Sequence, residues 1–265
     1  MSRLRLKPAT DHGRVHHVTP ESAGWTYVGF DLLKLAPGEE AGEWTGDREV
    51  CLVLISGKAE VEAGNTDFGE IGTRMSPFEG QPFSVYAPAG VDWSVNATTP
   101  LVLAVCSAPG VPDLYPPRLI PPGTFPVVTR GKGSNVRHVT DILPETAPAN
   151  SLLVVEVITP AGNTSSYPPH KHDTDNLPDE SALEETYYHR FNPPQGFGFH
   201  RVYTDDRALD EAMAIEDEDV VLVPKGYHPV ATVYGYDNYY LNVMAGPRRV
   251  WKFHNAPEHE WLLKL

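Results

Sequence analysis

The amino-acid sequence predicts a mainly β protein made of two copies of one β unit, and three observations carry that reading. Between turns the chain runs through apolar or alternating stretches rich in Val, Leu, Tyr and Phe, each about the length of an ordinary strand. Its 22 glycines and 26 prolines are scattered between those stretches as turn punctuation and are not gathered into a linker. The halves also repeat a pattern: FDLLKLAPGEEAGEWTGDREVCLVLISG in the first is matched by LLVVEVITPAGNTSSYPPHKHD and, beyond an insertion, EETYYHRFNPPQG in the second. In both, an apolar strand reaches a Pro/Gly turn, a polar segment follows, and a strand opening on Glu runs to a Gly turn. Further on, PAGVDW at 88–93 parallels PKGYHP at 224–229.

In chain order, strands are predicted over 25–35, 49–55, 83–86, 101–106, 151–158, 185–191, 198–203, 219–223 and 238–244. Helical periodicity is weak everywhere; 206–214 reads as one or two helical turns and 181–183 as a turn inside an insertion. The stretch from Val111 to Thr129, with PPRLIPPG inside it, reads as the join between the halves. It is expected to be ordered but not strand-like, because proline cannot donate to a ladder. Cys51 and Cys106 each fall inside an apolar run and read as buried thiols.

Charge narrows the function classes. With 21 Lys and Arg against 35 Asp and Glu, a net charge of −14, no basic surface offers itself to nucleic-acid phosphate or to anionic headgroups. No apolar stretch approaches the roughly 20 residues of a membrane-spanning helix. The start, MSRLRLKPATDHGR, lacks the apolar segment of a secretory signal, so a cytoplasmic location is expected. The expected partner is a small molecule rather than a nucleic acid or a membrane, and assembly into a homo-oligomer stays open.

One constellation carries chemistry. In His170-Lys171-His172 two imidazoles stand two residues apart, and on a strand that spacing puts both on one face. Downstream, the strand opening Glu184-Glu185 offers a carboxylate, and the turn containing His228 offers a third imidazole. Three His and one Glu from neighbouring strands make a divalent-metal site with open positions. An HxH pair alone would be weak evidence; the ordered set of HxH, Glu and PxGxH resembles the metal motifs of cupins.

The segment PPHKHDTDNLPDESALEETYYHRFNPPQGFGFHRVYTDDRALDEAMAIEDEDVVLVPKGYHPV, with the tail YYLNVMAGPRRVWKFHNAPEHEWLL, resembles the 5-deoxy-glucuronate isomerase family of bacterial inositol catabolism, related to the 4-deoxy-uronate ketol isomerases. The resemblance is strong across the second half and reaches the first through FDLLKLAPG, the Glu49 strand and the PAGVDW turn. It implies a bicupin, two β-barrel or jelly-roll cupin domains in one chain. Residues 1–125 would form a degenerate cupin without a metal site, and 126–265 the catalytic cupin. Carried onto this sequence, the metal ligands fall on His170, His172, Glu185 and His228. Glu185 is chosen over Glu184 because the cupin pattern places two residues between the ligand Glu and an aromatic, here Tyr188. Strand parity then turns Glu185, Tyr187 and His189 inward. Twelve residues separate His172 from Glu185: the insertion DTDNLPDESAL and then Glu184; the insertion reads as a lid or rim beside the pocket or as a solvated loop. In the first half Glu43-Trp44-Thr45, Glu49 and Asp92 occupy the equivalent places, so that half reads as scaffold.

The implied reaction converts 5-deoxy-D-glucuronate to 5-dehydro-2-deoxy-D-gluconate, an aldose-ketose isomerisation needing one divalent metal ion and no redox cofactor. Imidazole and carboxylate suit Zn or Mn ahead of Fe or Co, and affinity order alone does not select among them. Tyr187, inward by parity, and Tyr240, on a face shared with Asn238 and Asn242, are the candidates for moving the proton. His189, His200, His254 and His259 read mainly as structural, the last two in a C-terminal clasp. For the substrate carboxylate the cations near the motif are Lys171, Arg190, Arg201, Lys225, Arg248 and Lys252, with no basis for choosing among them. Two rivals remain at this level: a metal-dependent cupin dioxygenase, which would consume O₂, and a non-catalytic sugar-binding cupin, which would bind without turnover.

Overall fold

The apolar runs form strands at Gly29–Leu35, Arg48–Ser56, Ser84–Ala87, Leu101–Pro109, Leu153–Thr159, Glu184–Asn192, Phe197–Tyr203, Val220–Val223 and Asp237–Ala245 in a computed structural model that describes residues 2–265. The chain divides into two units. One comprises Pro8–Pro126 with Asp141–Val154, and the other residues 2–7 with Val127–Thr140 and Val155–Leu265.

The first unit pairs a six-stranded with a four-stranded sheet. The six strands run in the order Arg118–Ile120, Ser84–Ala87, Arg48–Ser56, Leu101–Pro109, Gly29–Leu35, Gly13–Val18, and the four in the order Glu40–Trp44, Asp92–Ala97, Ala59–Ala63, Thr66–Ile71. Strict alternation builds the second of these sheets: in AEVEA, Ala59, Val61 and Ala63 are buried while Glu60 and Glu62 face out. Side chains from both sheets, including Leu33, Leu52, Leu54, Val61, Trp93 and Val95, fill the interior as one apolar cluster. Each large one contributes about 1.5–3 kcal/mol by leaving water. Cys51 and Cys106 stand opposite each other on neighbouring strands, buried and free.

The second unit positions the chemistry. Its seven-stranded sheet runs Arg5–Leu6, Val220–Val223, Glu184–Asn192, Asp237–Ala245, Leu153–Thr159, Arg137–Leu143, Val127–Arg130. A four-stranded sheet runs Thr164–Ser165, Val230–Thr232, Phe197–Tyr203, Asp210–Glu216. Two short pairs complete it: His170–Lys171 with His254–Asn255, and Asp173–Asn176 with Glu180–Ala182. Polar residues are buried in this unit, among them Glu185, His189, His200, Asn238 and Asn242.

Three local expectations are corrected. Residues 206–214 do not turn as a helix; Asp210–Glu216 is a strand paired along its length with Phe197–Tyr203. Its Ala, Glu and Met favour helix locally, but burying Met213 and Ile215 on one face requires a period of two, and that packing overrides propensity. Ser181 lies in a strand of the insertion's hairpin and not in a turn. The join contains strands at Arg118–Ile120 and Val127–Arg130. Both lie at the edge of their sheets, where a proline-rich neighbourhood leaves few ladder bonds unmade. No helix among the described residues is long and apolar enough to cross a membrane.

Candidate metal centre

His170, His172 and His228 come together with one ring nitrogen each, all within 4.8 Å of one another. Backbone carbonyls aim two of the rings. His172 Nδ1 donates to Leu183 O at 3.2 Å and His228 Nδ1 donates to Gly226 O at 2.8 Å. Those bonds orient the rings and turn both Nε2 atoms inward. Glu185 Oε2 lies 3.1 Å from His172 Nε2 and 3.3 Å from His228 Nε2. Gly226 permits this turn: its φ is +90°, and a Cβ there would stand 2.4 Å from Tyr203 O. His200 Nε2 in turn donates to the His228 carbonyl at 3.2 Å.

The donor set tests whether a cation fits. Burial, with the neighbouring imidazoles adding, holds His170 well below the usual imidazole range; burial likewise lowers His228 to about 4. Both are therefore neutral near pH 7, as ligands must be. For His172 burial acts downward, but the hydrogen bond and charge of Glu185 outweigh it. His228 Nε2 is buried beside a carboxylate oxygen without making a hydrogen bond. Acceptors facing acceptors repel unless a proton or metal ion lies among them, so three imidazoles and one carboxylate fit a divalent ion of the Zn, Mn, Fe or Co kind.

The cavity beside this cluster is lined by His170, Glu185, Tyr187, Tyr240, Asn242, Arg130 and Arg137, and on its apolar side by Trp251, Phe253 and Leu263. Glu185 and Tyr187 face the cavity as parity requires, and His189 is buried on the same strand. The Tyr187 and Ser166 hydroxyls are 3.0 Å apart, and the Tyr187 and Tyr240 rings 5.0 Å apart. Burial raises both phenols above their ordinary range. His189 Nδ1 donates to Asn238 Oδ1 at 3.3 Å, behind the tyrosines.

The six sequence-predicted cations lie elsewhere. Lys171 is held by Asp173 at 2.7 Å and Glu180 at 3.1 Å, Arg190 by Asp217, Arg201 by Asp210 and Arg248 by Asp175. Lys225 and Lys252 are exposed and do not line the cavity. The insertion folds as a short hairpin tied to the His228 turn: Asp173 accepts the Gly226 N–H at 2.8 Å, and Glu180 is buried against Lys171, but none of residues 173–183 lines the cavity. Sequence reasoning missed Arg130, Arg137 and Ser166 because they precede the HxH motif and only the sheet order brings them beside it. It also did not single out Trp251 and Phe253, both of which reach the cavity. In the first unit, Glu43 pairs with Arg14, Asp92 is exposed, and Glu49 is buried.

A protein of Geobacillus kaustophilus (strain HTA426) named 5-deoxy-glucuronate isomerase is 56% identical over 267 residues, covering 100% of this chain and 96% of that one. The crystal structure of an IolB-like protein from Salmonella typhimurium LT2 superposes with a TM-score of 0.97 at 56% identity, covering 99% of this chain and 100% of that one. Lactobacillus farciminis oxalate decarboxylase matches at a TM-score of 0.68 and 14% identity, over 100% of this chain and 91% of that one. That likeness shows the fold alone: the chain is a bicupin. The KduI/IolB family model matches residues 4–262, and the chain belongs to that family.

Proposed function

We propose that this chain is a cytoplasmic 5-deoxy-glucuronate isomerase of inositol catabolism, converting 5-deoxy-D-glucuronate to 5-dehydro-2-deoxy-D-gluconate, with residues 126–265 catalytic and 1–125 a scaffold. The carrying observation is the convergence of His170, His172 and His228 with Glu185, in a chain 56% identical along its length to a protein of that name. A divalent ion held by those four side chains would supply Lewis acidity toward a carbonyl and its neighbouring hydroxyl.

The remaining work falls to the chain's own side chains. Ser166 holds the Tyr187 hydroxyl in place at 3.0 Å. Tyr187 and Tyr240 present phenols on the cavity wall, where each can donate to a sugar oxygen or carry a proton between adjacent carbons. Trp251, Phe253 and Leu263 keep one side of the cavity apolar and limit water around a charged intermediate. No redox cofactor enters, since the carbon that is oxidised and the carbon that is reduced belong to the same molecule.

The test is proton NMR of 5-deoxy-D-glucuronate in D₂O with metal-loaded and chelator-treated protein. Conversion to the ketone by the loaded protein alone is the expected result. Solvent deuterium in the product identifies an enediol route, and retained hydrogen a hydride shift. No conversion, or oxygen uptake in its place, overturns the reading.

A further inference from the structure

Arg130 and Arg137 stand directly opposite each other on the antiparallel strands Val127–Arg130 and Arg137–Leu143, and both line the cavity beside the histidine cluster. Like charges opposed across paired strands destabilise a sheet. Other arginines of this chain have acids against them: Arg5 has Asp219, Arg190 has Asp217 and Arg201 has Asp210. Among the described residues, no carboxylate lies within ion-pair distance of Arg130 or Arg137. Arg137 makes a hydrogen bond from Nη1 to the backbone oxygen of Asn135 at 3.0 Å, which neutralises nothing. Burial pulls the Arg137 guanidinium down from its ordinary value, Tyr240 acts the other way, and the charge of Arg130 adds to the downward pull. The Nδ2 of Asn242, also on the cavity, is buried without a partner. In a chain of net charge −14, a half-buried Arg137, an exposed Arg130 beside it and an idle amide donor, with no carboxylate opposite either arginine, suit an anion at one cavity.

We propose that Arg130 and Arg137 form the anchor for the substrate's carboxylate, with Asn242 as a further donor on the same wall. The proposal rests on the isomerase reading and adds a direction to it. The acid end of the sugar lies at the arginine pair, and the carbonyl end at His170, His172, Glu185 and His228. Guanidinium forks match a carboxylate with paired hydrogen bonds, which a hydroxymethyl group cannot return. A neutral sugar therefore leaves the pair unmatched, so the anchor selects uronates over hexoses. It also gives an acidic protein one local place where an acid is attracted.

The experiment uses the metal-loaded full chain with Arg137→Gln, Arg130→Gln and Arg137→Lys. KM and kcat are measured for 5-deoxy-D-glucuronate and for the neutral 5-deoxyhexose that carries a hydroxymethyl in place of the carboxylate. For Arg137→Gln, kcat/KM on the uronate should fall about 10- to 100-fold, mostly through KM, the size of a lost charge-assisted hydrogen bond. Turnover of the neutral sugar and metal content should stay at the wild-type level, and Arg137→Lys should recover part of the loss. Equal losses on both sugars overturn the proposal. Binding of D-glucuronate against D-glucose, read by ligand-observed NMR, needs no turnover and separates the two readings. If the wild type isomerises nothing but binds glucuronate in an Arg137-dependent way, the isomerase reading fails and the anchor stands. If Arg137→Gln keeps the wild-type KM, or the wild type shows no preference for glucuronate, the anchor fails.

Discussion

The Tyr86 hydroxyl donates to Glu49 at 2.7 Å, and the same buried carboxylate accepts the backbone N–H groups of Asn150 at 2.7 Å and of Ser151 and Leu152 at 2.6 Å. Glu49 stands in the first repeat where Glu185 stands in the second, so one position has taken two uses. Around Glu185 the neighbours are imidazole acceptors, whereas around Glu49 they are donors that satisfy the carboxylate fully. Glu49→Ala would remove the carboxylate that three amide groups and a phenol share, at about 1–3 kcal/mol for each buried hydrogen bond that nothing replaces. The expected loss is about 3–5 kcal/mol in urea or thermal unfolding, with the metal content of the folded fraction unchanged. A loss below about 1 kcal/mol would mean that water replaces the carboxylate.

Metal analysis of purified variants separates the two repeats. His170→Ala and His228→Ala should each weaken the ion at least about 100-fold and abolish turnover with it. Asp92→Ala, whose side chain is exposed at the start of its strand, should keep about one ion per chain. Equal depletion in Asp92→Ala would refute a single site.

The tyrosines are distinguished by which rate constant they move. Tyr187→Phe removes the hydroxyl that Ser166 holds at 3.0 Å, and Tyr240→Phe removes its neighbour. The one that carries the proton should lose about 10²- to 10⁴-fold in kcat with metal content intact. If both keep kcat within about twofold, neither transfers it.

His189 gives a pH dependence that owes nothing to metal. Burial lowers it to about 3, with only the Asn238 hydrogen bond opposing, whereas the unfolded chain titrates near 6.5. Between those values the unfolded state binds the proton and the folded state does not. Stability is therefore full above about 6.5 and is lost as pH falls toward 3. For one such group the loss from about pH 7 to about pH 5 is roughly 2 kcal/mol. In chelator-treated protein, His189→Asn should flatten the pH profile by about that much. An unchanged profile would show that His189 is already protonated in the fold.

The strand reading survived because an apolar run bounded by Pro or Gly needs no tertiary information. The convergence of His170, His172 and His228 with Glu185 was legible because HxH, Glu and PxGxH each bring their own local geometry. Asp210–Glu216 was misread because its residues are good helix formers and only the pairing with Phe197–Tyr203 decides otherwise. Arg130 and Arg137 were invisible for a different reason. They reach the cavity through strand order in the seven-stranded sheet, where Leu153–Thr159 and Asp237–Ala245 separate Arg137–Leu143 from the Glu185 strand. Such adjacency has no local signature.

The C-terminal segment was expected to clasp, and its contacts say what it clasps. His170–Lys171 pairs with His254–Asn255, the Ala256 N–H donates to Pro169 O at 2.8 Å, and the Phe253 ring lies 4.6 Å from His170. Among the described residues the His170 strand has no second sheet neighbour, so this tail sets the position of the first imidazole. Phe253→Ala should therefore weaken metal binding about 10-fold, the scale of losing support behind a ligand, as read by competition with a chelator. Phe253→Leu, which keeps an apolar contact, should recover most of it. Trp261→Ala removes a larger ring from the same tail, but that ring is 57% exposed, so metal affinity should not change. If Trp261→Ala and Phe253→Ala weaken the ion equally, the tail acts by general stability and not through His170.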